Sequence, residues 1–176
     1  MNITIAVSDF QYENWAEAFF PDDLPEDWRL DYYANEFGAV LLGERDLEVF
    51  GEELIHEFLR GVGENFIFVL EGGLLTKPTE VECALVRVFF PPDQSIVELA
   101  GMELEQAKVI NRQDVSKSVC VLRVKSDSAT RNEDIKQLLT YINVNCSNYD
   151  QVCLFFGRRM QCVEVISAAK IINDLL

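Results

Sequence analysis

The stretch Trp15–Val40, WAEAFFPDDLPEDWRLDYYANEFGAV, decides how the chain is read. Six aromatics, Trp15, Phe19, Phe20, Trp28, Tyr32 and Tyr33, fall within nineteen residues of it. Pro25 opens a helix, because a proline's missing N–H is not needed in the first turn. Glu26 and Asp27 then lie where the helix dipole favours negative charge. Leu30, Tyr33, Ala34 and Phe37 recur at i, i+3, i+4, i+7, the buried stripe of an amphipathic helix, and Gly38 ends it. Ala39–Leu42 is a short apolar run that reads as a buried strand. Ile3–Val7, ahead of the stretch, reads as another. A helix between two strands is the repeating unit of an α/β fold.

Reading outward, Asp46 caps a helix that runs to about Arg60. Leu47, Phe50, Leu54 and Phe58 form its apolar stripe, and Gly61 and Gly63 stop it. Phe66–Leu70 is the third strand, closed by Gly72–Gly73. Residues 74–115 admit two readings. Pro78 can start a helix with Val81, Ala84, Leu85 and Val88 on one face, or Cys83–Phe90 can be a strand rich in β-branched and aromatic residues. Periodicity leans towards the helix. Ser95–Asn111 also reads as helical, with Gly101 as a weak point. Val119–Val124 is a nearly continuous apolar run, as a buried parallel strand requires. Thr130 and Glu133 make a capping box, and Ile135, Leu138, Leu139 and Ile142 form the helix face behind it. Val152–Phe156 is a further strand and Cys162–Leu175 a closing helix. Strands alternating with helices predict a parallel sheet covered by helices, in one domain of 176 residues.

Tyr12, Trp15, Phe20–Pro21, Leu24, Tyr32–Tyr33–Ala34, Phe37 and Val40 together resemble the opening of the YecE-like family, domain of unknown function 72. The resemblance spans roughly residues 1–43, with a fainter echo at Phe66–Phe68 and in the last thirty residues. It implies a (β/α) barrel without a settled activity. A complete eight-stranded barrel takes about 250 residues. The expected fold is therefore α/β, a reduced or incomplete parallel (β/α) barrel-like domain of about five or six strands with helices packed outside. The apolar skeleton of the family is kept, and its polar strand tips are not. Where the family's second strand reads Val-Glu-Ile-Asn, this chain has Val40-Leu41-Leu42-Gly43. Glu71 stands near the family's third-strand lysine. Phe156-Gly157-Arg158 replaces Phe-Asn-Asn. A barrel short of strands exposes sheet edges, so a helix over each edge or a homodimer is expected.

The net charge of −15 is uneven. Residues 1–60 carry fifteen acidic and three basic side chains, whereas residues 111–176 carry seven and nine. An acidic surface repels phosphate backbones and argues against nucleic acid. It reads first as a solvated face and second as a docking face for a basic protein partner. No run is long and apolar enough for a membrane span, and Met1–Phe10 lacks a signal pattern, so a cytoplasmic protein without membrane contact is expected. The five cysteines, Cys83, Cys120, Cys146, Cys153 and Cys162, show no Cys-x-x-Cys spacing. Zinc and disulfide frameworks are poorly supported, and Cys120 and Cys153 read as small core residues.

Asp9 is the candidate catalytic residue, since it follows the first strand, where parallel sheets bind ligands. Tyr12 and Trp15 beside it, with Asp127, Arg158 and Arg159 after later strands, are candidate ligand-binding residues. Glu53, His56 and Glu57 share helical spacing, but a helical wheel turns His56, the chain's one histidine, towards water. No metal and no cofactor are expected, and no phosphate-binding glycine loop is present. The favoured reading is a non-catalytic interaction or scaffold protein on a degraded barrel. The alternative is a small hydrolase- or isomerase-like enzyme working around Asp9.

Overall fold

The computed structural model describes residues 1–8, 19–63, 65–72, 84–91, 97–113, 117–126, 130–157 and 163–176. In chain order these form β1 (Asn2–Val7), α1 (Arg29–Glu36, entered through a 3-10 turn at Glu26–Trp28), β2 (Ala39–Leu42), α2 (Glu44–Gly61), β3 (Ile67–Glu71) and β4 (Ala84–Phe89). Then come β5 (Val97–Leu99), β6 (Met102–Gln106), β7 (Lys108–Gln113), β8 (Val119–Ser126), α3 (Asn132–Asn145), β9 (Gln151–Phe156) and α4 (Val163–Asp174). The fold is mixed α/β with two mixed sheets. One has the order β1-β9-β8-β6-β5 and the other β2-β3-β4-β7. Pairs β1/β9, β8/β9, β2/β3 and β3/β4 are parallel, and β4/β7, β5/β6 and β6/β8 are antiparallel. The strands β2 and β9 are buried at every residue, which is why they read as unbroken apolar runs.

The two sheets meet at two seams. At the first, the segment 102–113 changes partner near Ala107, so that β6 lies on β8 and β7 on β4. The Ala107 N–H still donates to the Val121 carbonyl at 2.9 Å. At the second, Ser8 bridges Leu41 in parallel. There the buried Tyr33 hydroxyl accepts the Val7 N–H at 3.2 Å and donates to the Ala39 carbonyl at 2.9 Å. A side chain from α1 thus stands in for a backbone hydrogen bond between β1 and β2. Around it Phe19, Tyr32, Tyr33 and Phe37 pack ring on ring, with Tyr33 and Phe37 stacked at 4.6 Å. Lys170 from α4 closes the cluster, lying 4.5 Å over the Phe37 ring and donating to the Glu36 carbonyl at the end of α1.

Several expectations are corrected. Among the described residues there are nine strands, where five or six were expected. The described part of the expected helix Ser95–Asn111, residues 97–111, is not helical: β5 and β6 form a hairpin whose two turn residues, Ala100 and Gly101, have φ of 52° and 76°. Positive φ at both central positions is the type I′ geometry that matches strand twist. The alternation Met102 buried, Glu103 exposed, Leu104 buried is the period-two signal that the helical reading overlooked. In 84–89 the strand alternative holds, because β4 pairs with β3 from Ala84 to Val88. The expected start of that helix at Pro78 and Val81 lies outside the described residues.

The helix α2 begins at Glu44, so Asp46 is not its cap but sits within its first turn, accepting the Gly43 N–H at 2.9 Å. Gly51, at φ 70° and ψ 158°, kinks the helix. A wheel drawn straight through from Leu47 therefore loses phase. Beyond the kink Ile55, Phe58 and Leu59 face the core, and His56 is half-buried rather than turned to water. The helix α3 starts one residue later than the Thr130–Glu133 box implies. Its first-turn acceptor is Asp134, which takes the Arg131 N–H at 3.0 Å and the Arg131 guanidinium at 2.9 and 3.0 Å.

Gly157 sits where β9 runs closest to β8. Its N–H donates to the Val124 carbonyl at 2.8 Å, and a Cβ there would lie 2.9 Å from the same oxygen. Only glycine lets β9 leave the sheet so close to β8. Gly157→Ala is expected to cost about 1–3 kcal/mol by overpacking. Urea denaturation checks this; a loss below about 0.5 kcal/mol would mean the backbone yields at no cost.

Candidate functional site

The strand β8 carries an arginine inside an apolar run, VCVLRVKS. Alternation sends Cys120, Leu122 and Val124 to one face and Val121, Arg123 and Lys125 to the other. On the first face Cys120, Leu122 and Val124 are all buried. The Arg123 face is turned to the second sheet. There its Nη1 meets Glu71 of β3 at 2.9 Å, and its Nε meets Glu105 of β6 at 2.8 Å. Lys125 Nζ meets the other Glu105 oxygen at 2.7 Å. The guanidinium also lies 3.9 Å over the Phe90 ring, just after β4. Four strands, β3, β4, β6 and β8, thus bring their side chains to one group of four charges.

The register explains the convergence. Glu105 and Arg123 are directly opposite in the antiparallel β6/β8 pair, the placement in which opposite charges attract best. Glu71 ends β3, so it projects from the second sheet where parallel strands finish. Arg123 and Glu105 are 18% and 19% exposed, too buried to tolerate an unpaired charge but still reached by solvent. Burial pulls the Glu105 carboxyl up, yet the hydrogen bonds from Lys125 and Arg123 outweigh it and hold the group below the usual carboxylate range. The cluster is neutral as a whole: two cations, two carboxylates and one aromatic face.

The predicted site residues Asp9, Tyr12, Trp15, Asp127, Arg158 and Arg159 lie outside the described residues. The strands that precede Asp9, Asp127 and the Arg158–Arg159 pair are described. Val7, Val124 and Phe156 are in register across β1, β8 and β9, so these strands finish along one edge of one sheet. At that edge the Ser8 hydroxyl donates to the Phe156 carbonyl at 3.2 Å, and the Ser126 hydroxyl to the Gly101 carbonyl at 3.4 Å. The Arg123 cluster sits at the same end. Reading the sequence missed Arg123, Glu105 and Lys125. A lone arginine within an apolar strand was the available signal for the first. Glu105 was hidden by the helical reading of its segment.

A second feature is a surface. Trp28 is 61% exposed, and Tyr32, one turn on, is 36% exposed. Asp22, Asp23, Glu26, Asp27 and Asp31 around them are all exposed. The helix beneath is held firmly, with Leu30 and Tyr33 buried. A third is a cleft of about 840 Å³ where β7 parts from β8, lined by Gln106, Lys108, Ser118, Cys120 and Tyr149 among others. Gln106 donates to the Tyr149 hydroxyl there at 3.3 Å. Among the described residues no three His, Cys, Asp or Glu side chains gather in a metal-binding group, Glu53, His56 and Glu57 included. Among the same residues, no helix is long and apolar enough to cross a membrane. Compared with family models, curated proteins and solved structures, the chain matches none.

Proposed function

We propose that this chain is a non-catalytic interaction protein that docks a basic partner on the Trp28 face of α1. The observation that carries this reading is an indole 61% exposed among five carboxylates on a helix anchored by buried aromatics. Exposed tryptophan is costly to leave in water and common at binding hot spots. The acids around it would steer a cationic segment and favour its guanidinium groups over the ring. The closed, neutral Arg123 cluster supports the same reading, because its charges already satisfy one another.

In this view the two sheets form a reduced barrel of the YecE-like kind. Its ring runs β1-β2-β3-β4, through the segment 102–113, to β8 and β9, with Tyr33 and Ala107 at the seams. The strand β5 has a pairing partner on one side only among the described strands, and two β5 edges would make the homodimer contact.

Calorimetric titration of the chain with an arginine-rich twelve-residue peptide tests the docking proposal. Saturable binding at low salt is expected. Trp28→Ala should weaken it roughly tenfold with little change in its salt dependence, because the ring is lost and no charge is removed. Asp27→Lys with Asp31→Lys should weaken it and flatten the salt dependence. Equal affinity for the wild type and both variants would sink the proposal.

A second reading is a small hydrolase- or isomerase-like enzyme acting at the strand ends around Asp9. It draws on the position of the Arg123 cluster at that end, where parallel sheets bind ligands. Native mass spectrometry separates the two readings: a small molecule retained by the wild type and lost in Asp9→Ala favours the enzyme.

A further inference from the structure

We propose that the cleft between β7 and β8 docks an extended acidic segment of a partner protein, which adds along β7 as a further strand. Backbone direction locates the site. Along an antiparallel pair, facing residues alternate between sharing hydrogen bonds and turning their backbone groups away. The Ala107 N–H donates to the Val121 carbonyl at 2.9 Å, so these two residues face each other. Ser118, three residues before Val121, has its carbonyl on the opposite side of the strand, where it accepts from Asp150 and Gln151 at 3.1 Å. The same alternation turns Val109 and Val119, two residues further on, towards each other. They share no hydrogen bond, because β7 has left β8 to pair with β4. The ladder between β6 and β8 is thus left unfinished.

A bulge keeps the strands apart. Val109 is opposite Val88 and Asn111 is opposite Arg87, which leaves Ile110 as an extra residue on β7. A bulge bends its strand and adds twist. The opening measures about 840 Å³, many times the ~30 Å³ share of one water molecule. Its walls are Gln106 to Ile110 on one side and Ser118 to Cys120 on the other, with Tyr149 beside them. Among the described strands, β7 is paired on its β4 side only. The other side offers N–H and C=O groups in a row, the template on which an extended peptide adds as a strand.

Charge selects the occupant. Residues 107–118 carry Lys108, Arg112 and Lys117 against a single acid, Asp114, in a chain of net charge −15. Lys108 lines the cleft, is exposed and enters no ion pair among the described residues. A lysine on an edge strand repels a second copy of that edge. Pairing of β7 with β7 is therefore disfavoured, whereas carboxylates facing Lys108 are favoured. Ile110, 65% exposed beside it, gives the added strand an apolar contact. At physiological salt, charges further away than about 8 Å are largely screened, so the local basic strip outweighs the net negative charge of the chain.

The test uses the full chain at physiological salt and a fluorescein-labelled, ten-residue peptide of alternating glutamate and valine. Anisotropy reports affinity, and amide hydrogen exchange reports location. Saturable binding is expected, with exchange at Val109 and along β7 slowed by about tenfold or more and exchange in β5 unchanged. Lys108→Glu should weaken binding roughly tenfold, since it sets like charges against each other. The same peptide methylated at every backbone nitrogen keeps its charges, loses its donors and should not bind. The proposal is overturned if the peptide does not bind, if the methylated peptide or the Lys108→Glu variant binds as tightly as the unmodified pair, or if protection falls on β5 or α1 instead. Protection of β7 that grows with protein concentration alone would also overturn it, by making a second copy of the chain the occupant.

Discussion

Tyr33→Phe is expected to cost roughly 2–4 kcal/mol of folding free energy, because two buried backbone groups lose their partner at once. The aromatic ring would keep its stacking on Phe37 and its edge contact with Phe19. What goes is a single oxygen. That oxygen accepts the Val7 N–H and donates to the Ala39 carbonyl, both deep in the core. Burial drives the phenol's pKa well above its ordinary value, so the group acts as a neutral donor and acceptor throughout the accessible pH range. The cost should be specific to the seam between β1 and β2. Hydrogen exchange at Val7 would rise more than exchange at central residues of β9. Urea denaturation followed by circular dichroism measures the total, and a loss under about 0.5 kcal/mol would show that the strands close the gap by themselves.

Arg123→Leu is the second large effect, expected at about 2–3 kcal/mol, somewhat below a fully buried pair because solvent still reaches the site. The substitution fits an apolar strand and retains packing on Phe90. Its cost comes from Glu71 and Glu105, which lose their shared cation. Adding Glu105→Gln to Arg123→Leu should therefore recover part of the loss, where a packing defect would not respond.

The pH dependence gives a second check on the same cluster. In the wild type the Glu105 carboxyl titrates below its unfolded value. Its stabilisation is complete above the unfolded value of about 4.3 and disappears as pH falls through the lower folded value. In Arg123→Leu burial remains and Lys125 stays, while the second of the two cations on Glu105 is gone, so that acid-side loss should shrink. Equal acid-side slopes for both proteins would place the cluster's contribution elsewhere.

Much of the fold was legible in the chain. The strands β1, β2, β3, β8 and β9 are apolar runs bounded by turns, and burial on both faces makes such runs unambiguous. The amphipathic stripe Leu30, Tyr33 and Phe37 located α1 for the same reason. The misread parts share another cause. MELEQ alternates over five residues only, too short to outweigh a longer helical pattern, and the turn that reveals the hairpin uses Ala100, which carries no sequence signal for positive φ. At Gly51 a single residue reset the phase of α2, and the expected orientation of His56 went with it.

The candidate site divides along the same line. Apolar periodicity, charge asymmetry and the aromatic density of residues 15–40 are properties of neighbouring residues, and the sequence by itself determined them. From these came the α/β class, the acidic N-terminal half and the expectation that polar groups gather where parallel strands end. Tertiary structure alone decided which charges meet. Glu71 lies fifty-two residues from Arg123 in the chain. Long-range pairing depends on sheet order and register, which follow from how the whole core packs and are encoded in no local stretch.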